Sequence, residues 1–215
     1  MSLPHWIKSY IQDVDLKKIE QAITEAEKKT SGEIVPIVVK QSTSTGHIKS
    51  LILLLFGLGL FLFLDLLPFV DVPDKILLFI CYSISALLAF FLGDNFFLQR
   101  SLTRSIDQHR QTELRAFHEF YLNGLQHTDG KTGILIFISL MERKVFVLAD
   151  KAINDKIEKG TWENVVEKTI KGIKNKDFTQ GLINAIHLCG NILEPHFPIQ
   201  PNDINELKNS LIIKE

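Results

Sequence analysis

The sequence predicts an α/β sandwich interrupted in mid-domain by a two-helix transmembrane hairpin, and three observations predict it. Residues 51–70 and 76–98 are apolar runs of membrane-crossing length. A strand-like segment precedes them at 33–40, and two more follow at 133–140 and 144–150. Segments with helical apolar spacing flank all three.

The first helix is expected over 14–30, with Val14, Ile19, Ala22, Ile23 and Ala26 on one stripe, Asp13 or Asp15 as N-cap and Gly32 just past the end. The strand E-I-V-P-I-V-V-K (33–40) is β-branched, as buried strands are, and Pro36 favours an edge position or a bulge. Beyond the apolar runs, 105–125 reads as a helix with Leu114, Phe117, Tyr121 and Leu125 as its apolar stripe, ending near Gly124. Residues 133–140 and 144–150 form a β-hairpin across M-E-R. Two more helices carry stripes at Trp162, Val165, Val166, Thr169, Ile170 and Ile173, and at Leu182, Ile183, Ile186, Cys189 and Leu193. The proline-containing tail over 195–203 is expected to run extended over the surface. A two-stranded second half is not stable alone, so the pieces on either side of the apolar runs build one domain.

The apolar runs read L-I-L-L-L-F-G-L-G-L-F-L-F-L-D-L-L-P-F-V and I-L-L-F-I-C-Y-S-I-S-A-L-L-A-F-F-L-G-D-N-F-F-L. Each covers roughly 30 Å as a helix, and a chain this short could not hide two helices that are apolar on every face. The five-residue link 71–75 makes them a hairpin, with Asp65 and Asp94 near the interfaces. Lys40, Lys49, Arg100, Arg104, Arg110 and Arg115 flank its base, whereas the link carries only Lys75. The positive-inside rule therefore places both termini in the cytoplasm and the protein in the inner membrane. Arg100, Arg104, Arg110 and Arg115 form a basic surface facing anionic headgroups. G-L-G (57–59), Ser83, Ser85 and Ala86 are small enough for close helix contact, a route to self-association.

Mean hydropathy is +0.12 and hydrophobic residues make up 46%, values raised by the apolar block alone. A net charge of −1 gives no field to attract nucleic acid. Cys81 and Cys189 lack the spacing of a disulfide framework or zinc site. G-L-Q-H-T-D-G-K-T (124–132) approximates a phosphate loop, but its gap is one residue too long and it runs from helix to strand, the reverse of the required order. No nucleotide site is expected. D-V-D-L (13–16) precedes a helix, where carboxylates cap, and does not follow a strand as a phosphatase aspartate would. Cys189 lies on an apolar helix face with Pro195 where a thiolate phosphatase needs arginine. His109 and Glu113 share a helix face at metal-binding spacing but lack a third ligand, since His118 falls elsewhere.

Taken together, T-S-G-E-I-V-P-I-V-V, T-G-I-L-I-F-I-S-L-M-E-R-K-V-F-V-L-A-D and D-F-T-Q-G-L-I-N-A-I resemble the TPM-domain family. G-L-Q-H-T-D-G-K-T-G-I-L-I-F-I-S-L, C-G at 189–190 and H-F-P-I-Q-P-N-D-I-N-E-L resemble a bacterial branch in which a two-helix hairpin interrupts that domain. The resemblance implies an αβα sandwich with a small mixed sheet of about four strands. Its divisions are residues 1–50, the hairpin 51–98, residues 99–195, and the tail 196–215. Among relatives, some thylakoid members are described as acid phosphatases, others bind calcium, and an animal member is a receptor-channel accessory. The expectation is an accessory or scaffolding protein of a membrane complex, with the lipid bilayer and a membrane protein as partners. The alternative is a metal-dependent phosphomonoesterase holding calcium or magnesium on Asp150, Asp155 and Glu142. Only Asp150 and Asp155 stand in the region where exported relatives carry acidic loops, with Lys151 beside them, a poor cage.

Overall fold

A computed structural model describes residues 3–44, 46–66, 74–93, 95–174 and 177–215. In chain order its elements are α1 (Asp13–Glu27), β1 (Glu33–Val39), α2 (Gly46–Asp65), α3 (Asp74–Leu92), α4 (Phe96–Leu102), α5 (Ser105–Leu122), β2 (Gly133–Ser139), β3 (Lys144–Ala149), α6 (Lys151–Asn154), α7 (Thr161–Lys174), α8 (Phe178–Leu193) and β4 (Ile212–Lys214). The chain divides into two compact units: Met1–Ser42 with His109–Glu215, and Thr43–Gln108.

The first unit is built on a mixed four-stranded sheet in the order β3-β2-β1-β4. β1 runs parallel to β2 and β4, and β2 and β3 form the antiparallel hairpin. Alternation along the strands sorts two cores. Ile34, Val38, Ile134, Ile136, Ile138, Val145 and Val147 pack with α1, α7 and α8, while Val35, Ile37, Val39, Leu135 and Phe137 pack against Ala116 and Phe120 of α5. The result is a three-layer αβα sandwich. Tight packing of α7 on α8 rests on Gly172 and Gly181, since a Cβ added to Gly172 would lie 2.9 Å from the Gly181 Cα.

Expectations are revised at three places: the start of α1, Pro36 and α5. Gln12, not Asp13 or Asp15, is the N-cap of α1, and its N–H donates to Asp15 Oδ2 at 3.0 Å. Val14 lies exposed, outside the buried stripe. Pro36 sits on an interior strand, but β4 joins β1 only from Ile37 onward, so the proline lies where that side is still open. The strand that makes β1 interior is β4, which lies beyond the 195–203 stretch; that stretch is exposed except for Phe197.

The third revision concerns α5. Of its expected stripe, Leu114, Phe117 and Tyr121 are 58%, 44% and 61% exposed and only Leu125, past the helix end, is buried, while the buried face of the helix is Thr112, Ala116, Glu119 and Phe120. Small Ala116 lets the helix approach the sheet, and Glu119 is satisfied there by Lys214 of β4 at 2.6 Å and Arg115 at 3.0 Å. A polar anchor thus overrides periodicity.

In the second unit α2 and α3 pack antiparallel through Ile48, Ile52 and Ala89, with Gly57 against Ser85. α2 begins five residues before the expected 51 and ends at Asp65. The apolar stretch 76–98 is broken after Leu92; Asn95 caps α4 by accepting from Phe97 and Leu98 N–H, and buried Gln99 donates to the Gly93 carbonyl at 2.8 Å. The expectations placed on 67–73 and Asp94 lie outside the described residues.

Candidate functional site

Parallel pairing of β1 with β2 brings the carboxyl ends of both strands to one edge of the sheet, with Val39 opposite Ser139. Such edges are where α/β sheets hold ligands. The chain beyond β2 keeps the ladder going: Leu140 N–H donates to the Val39 carbonyl and Met141 N–H to that of Lys40, both at 3.1 Å. This carries Glu142 inside, 2% exposed. A buried carboxylate is tolerated only when hydrogen-bonded. Here Ser42 N–H donates to Oε1 at 3.0 Å, the Ser139 hydroxyl donates to Oε2, and the Ser42 hydroxyl donates to Ser139 Oγ at 2.9 Å. Ser139 is fully buried with its proton committed to Glu142, so the arrangement is a brace for the turn and not an exposed nucleophile. The next residue, Arg143, is held at φ 54°.

Beside this brace a cavity of about 460 Å³ opens between the β2–β3 turn, the end of α7 and the start of α8. Its walls include Leu140, Val145, Ile170, Ile173 and Phe178, and its polar lining is Tyr10, Ser139, Arg143, Lys144 and Lys174. The Tyr10 ring meets Phe178 edge-on at 5.8 Å. No local pattern marks this site, because its parts come from three stretches far apart in the chain, around Tyr10, 138–145 and 170–178; only the adjacent cations in M-E-R-K hint at it.

The structure does not bring Glu142, Asp150 and Asp155 together. Glu142 lies before β3 and Asp150 after it, so a six-residue strand, roughly 20 Å at about 3.3 Å per residue, separates them. Asp150 caps α6, accepting from Lys151 N–H at 2.6 Å, and Asp155 ends the same short helix. Among the described residues no group of three or more His, Cys, Asp or Glu side chains is placed to hold a metal ion. Glu142, Asp150 and Asp155 therefore do not fit a single calcium or magnesium ion.

Of the four arginines expected at a membrane surface, Arg104 and Arg110 are exposed and Arg100 is half-buried, while Arg115 is turned to Glu119 and the Glu215 carbonyl. Burial pushes the Cys189 thiol up to about 12, which leaves it without thiolate chemistry. His109 packs on Phe146 at 5.1 Å. Gly124, at φ 76°, ends the α5 segment before β2, the helix-to-strand order that disqualifies a phosphate loop.

A second cluster lies at the other end of β1. Glu33, 5% exposed, accepts from Glu206 N–H at 3.1 Å and Leu207 N–H at 3.3 Å, holding the tail that leads into β4. Glu27 Oε1 accepts from Ile34 N–H at 2.9 Å, while its Oε2 and Asn209 Oδ1 are both buried without partners. Burial, offset by the two backbone donors and reinforced by the charges of Glu206 and Asp203, raises the Glu33 carboxyl above its ordinary range.

Residues 100–192 match the family model of the TPM domain. The TPM-matching span runs from α4 to α8 and includes the braced turn, the cations at 143 and 144, and most of the cavity wall. The solved NMR structure of BA42 protein from the psychrophilic bacterium Bizionia argentinensis is similar in fold, with a TM-score of 0.60 and 21% identity over 95% of each chain. No curated protein matches the chain.

Proposed function

We propose that the chain is an integral protein of the inner membrane, anchored by α2 and α3, with its TPM-like unit in the cytoplasm serving a membrane complex as an accessory or scaffolding subunit. One observation carries the membrane reading. The 18-residue window Gly46–Phe63 of α2 has a mean hydropathy of 1.9 and only 11% of it is buried. A core helix hides such a surface; here Leu54, Phe63, Phe79 and Phe90 all stand exposed, a cost in water that lipid removes. α3 is shorter, and it reaches membrane-crossing length only together with α4, from which it is bent by 103°. The outer stripe of α5 supports the accessory role: an exposed apolar row on a folded unit marks a contact surface.

A reporter active only outside the cytoplasm, fused within 71–75, is expected to be active, and the same reporter after Glu215 inactive. The full chain is expected to resist alkaline carbonate extraction. A silent reporter at 71–75, or release into the carbonate supernatant, overturns the reading. The phosphomonoesterase alternative makes a different demand. Because Asp150 is a helix cap distant along β3 from Glu142, Asp150→Ala is expected to leave any calcium- or magnesium-dependent turnover of a generic phosphoester by the full chain unchanged; a tenfold loss would restore the enzyme reading.

A further inference from the structure

The cavity beside the braced turn combines two features that select a ligand. Much of its wall is apolar, Ile170, Ile173 and Phe178 included, and its polar lining has three cations, Arg143, Lys144 and Lys174, and no carboxylate. Glu142 is not part of the lining, and its oxygens are turned to Ser42 and Ser139. Among the described ion pairs none involves these three cations. Like charges around one opening repel, and an anion placed there relieves the repulsion. The volume lies within the range of small-molecule sites, roughly 300–1,000 Å³. The position of Arg143 is also set by design of the turn: an arginine at φ 54° is strained by roughly 1 kcal/mol, and the strain persists because the Glu142 brace fixes the residue before it.

We propose that this cavity binds a small amphipathic anion, a phosphate monoester or carboxylate carrying an apolar group, with the head at Arg143, Lys144 and Lys174 and the apolar part against α7 and Phe178. This stands apart from the anchoring role, because every residue involved belongs to the sheet unit.

The test uses the full chain in zwitterionic-lipid nanodiscs, with empty discs as control, and ligand-observed NMR titration of hexyl phosphate, hexanoate, hexanol and inorganic phosphate. Hexyl phosphate and hexanoate are expected to bind at least tenfold more tightly than hexanol, and hexyl phosphate at least tenfold more tightly than inorganic phosphate. Affinity is expected to fall with added salt. Arg143→Gly is the decisive variant, because glycine adopts φ 54° without strain. It is expected to keep or raise the thermal midpoint while weakening hexyl phosphate binding about tenfold. Ile173→Trp, which fills the apolar part, is expected to lower affinity for hexyl phosphate toward that for inorganic phosphate. Equal affinity of the unmodified chain and Arg143→Gly, or no preference for hexyl phosphate over hexanol, overturns the proposal. Competition by phosphatidic acid added to the discs would identify the anion as a lipid, and its absence a soluble compound; both retain the site.

Discussion

Glu27→Gln is expected to flatten a fall in stability that the unmodified protein shows as pH rises from 5 to 9. Burial is the main reason that the Glu27 carboxyl is raised from its ordinary 4.5 to about 8; the Ile34 N–H opposes the shift, the Glu33 charge adds to it, Asn209 opposes it and Asp203 adds. The folded state therefore holds a proton that the unfolded chain has released over this interval. A raised carboxyl lends stability at low pH, fully present below 4.5 and lost as pH climbs through about 8. The ceiling on that loss is on the order of 4 kcal/mol. The geometry agrees with the preference: Glu27 Oε2 is a buried acceptor without a donor, and a proton turns it into a donor. Glutamine mimics that state permanently, keeping an oxygen for Ile34 N–H and adding an amide donor. The thermal midpoint against pH checks this, and a variant with the same slope as the unmodified chain refutes it. Hydrogen exchange at Leu207 adds a local readout, because Glu33 holds that amide and repels an ionised Glu27.

Glu119→Ala is expected to cost about 3 kcal/mol and to undock the C-terminal strand. The side chain of Glu119 is 1% exposed and is held by Lys214, Arg115 and Asn123. Burial alone would raise its carboxyl, but Lys214 and then Arg115, through hydrogen bonds and charge, outweigh burial and hold it below the usual range. Removing one partner of a buried pair costs roughly 3–5 kcal/mol, and the lower end applies because Lys214 and Arg115 reach solvent. In a chain of this size that is roughly 6–12 °C in Tm. The signature is local: the Lys40 amide, which donates to the Lys214 carbonyl at 3.0 Å, loses exchange protection along with Ile212–Lys214. Unaltered protection at Lys40 would show that β4 docks without the ion cluster. A depressed carboxyl adds the opposite pH signature to that of Glu27: its stabilisation is present above 4.5 and lost as pH falls through the folded-state value.

Legibility from sequence followed the range of the interactions. α7 and α8 bury the apolar stripes that their spacing predicts, and β1, β2 and β3 match their expected ranges to within a residue, because turn residues and apolar spacing are local signals. α5 was found as a helix but assigned the wrong buried face, since the pull of Lys214 on Glu119 comes from 95 residues away. β4 escaped for the same reason: a three-residue strand has no pattern of its own and exists because β1 offers an open edge after Pro36. Glu142, Asp150 and Asp155 are parted by β3 for the same kind of reason. Proximity in sequence across a strand is separation in space, and the cations of the cavity are the converse case.

By itself the sequence determined the class of each long segment: a β-branched strand, amphipathic helices, and a central stretch too apolar to belong to the sheet unit. Those outcomes follow from backbone geometry and the hydrophobic effect acting within a dozen residues. The tertiary structure alone decided which face of α5 meets the sheet, that the chain end completes that sheet, and that Glu142 is a brace rather than a ligand. Each of those depends on a polar group finding its partner across the fold, and hydrogen bonds and charges choose partners by distance in space, which no local pattern encodes.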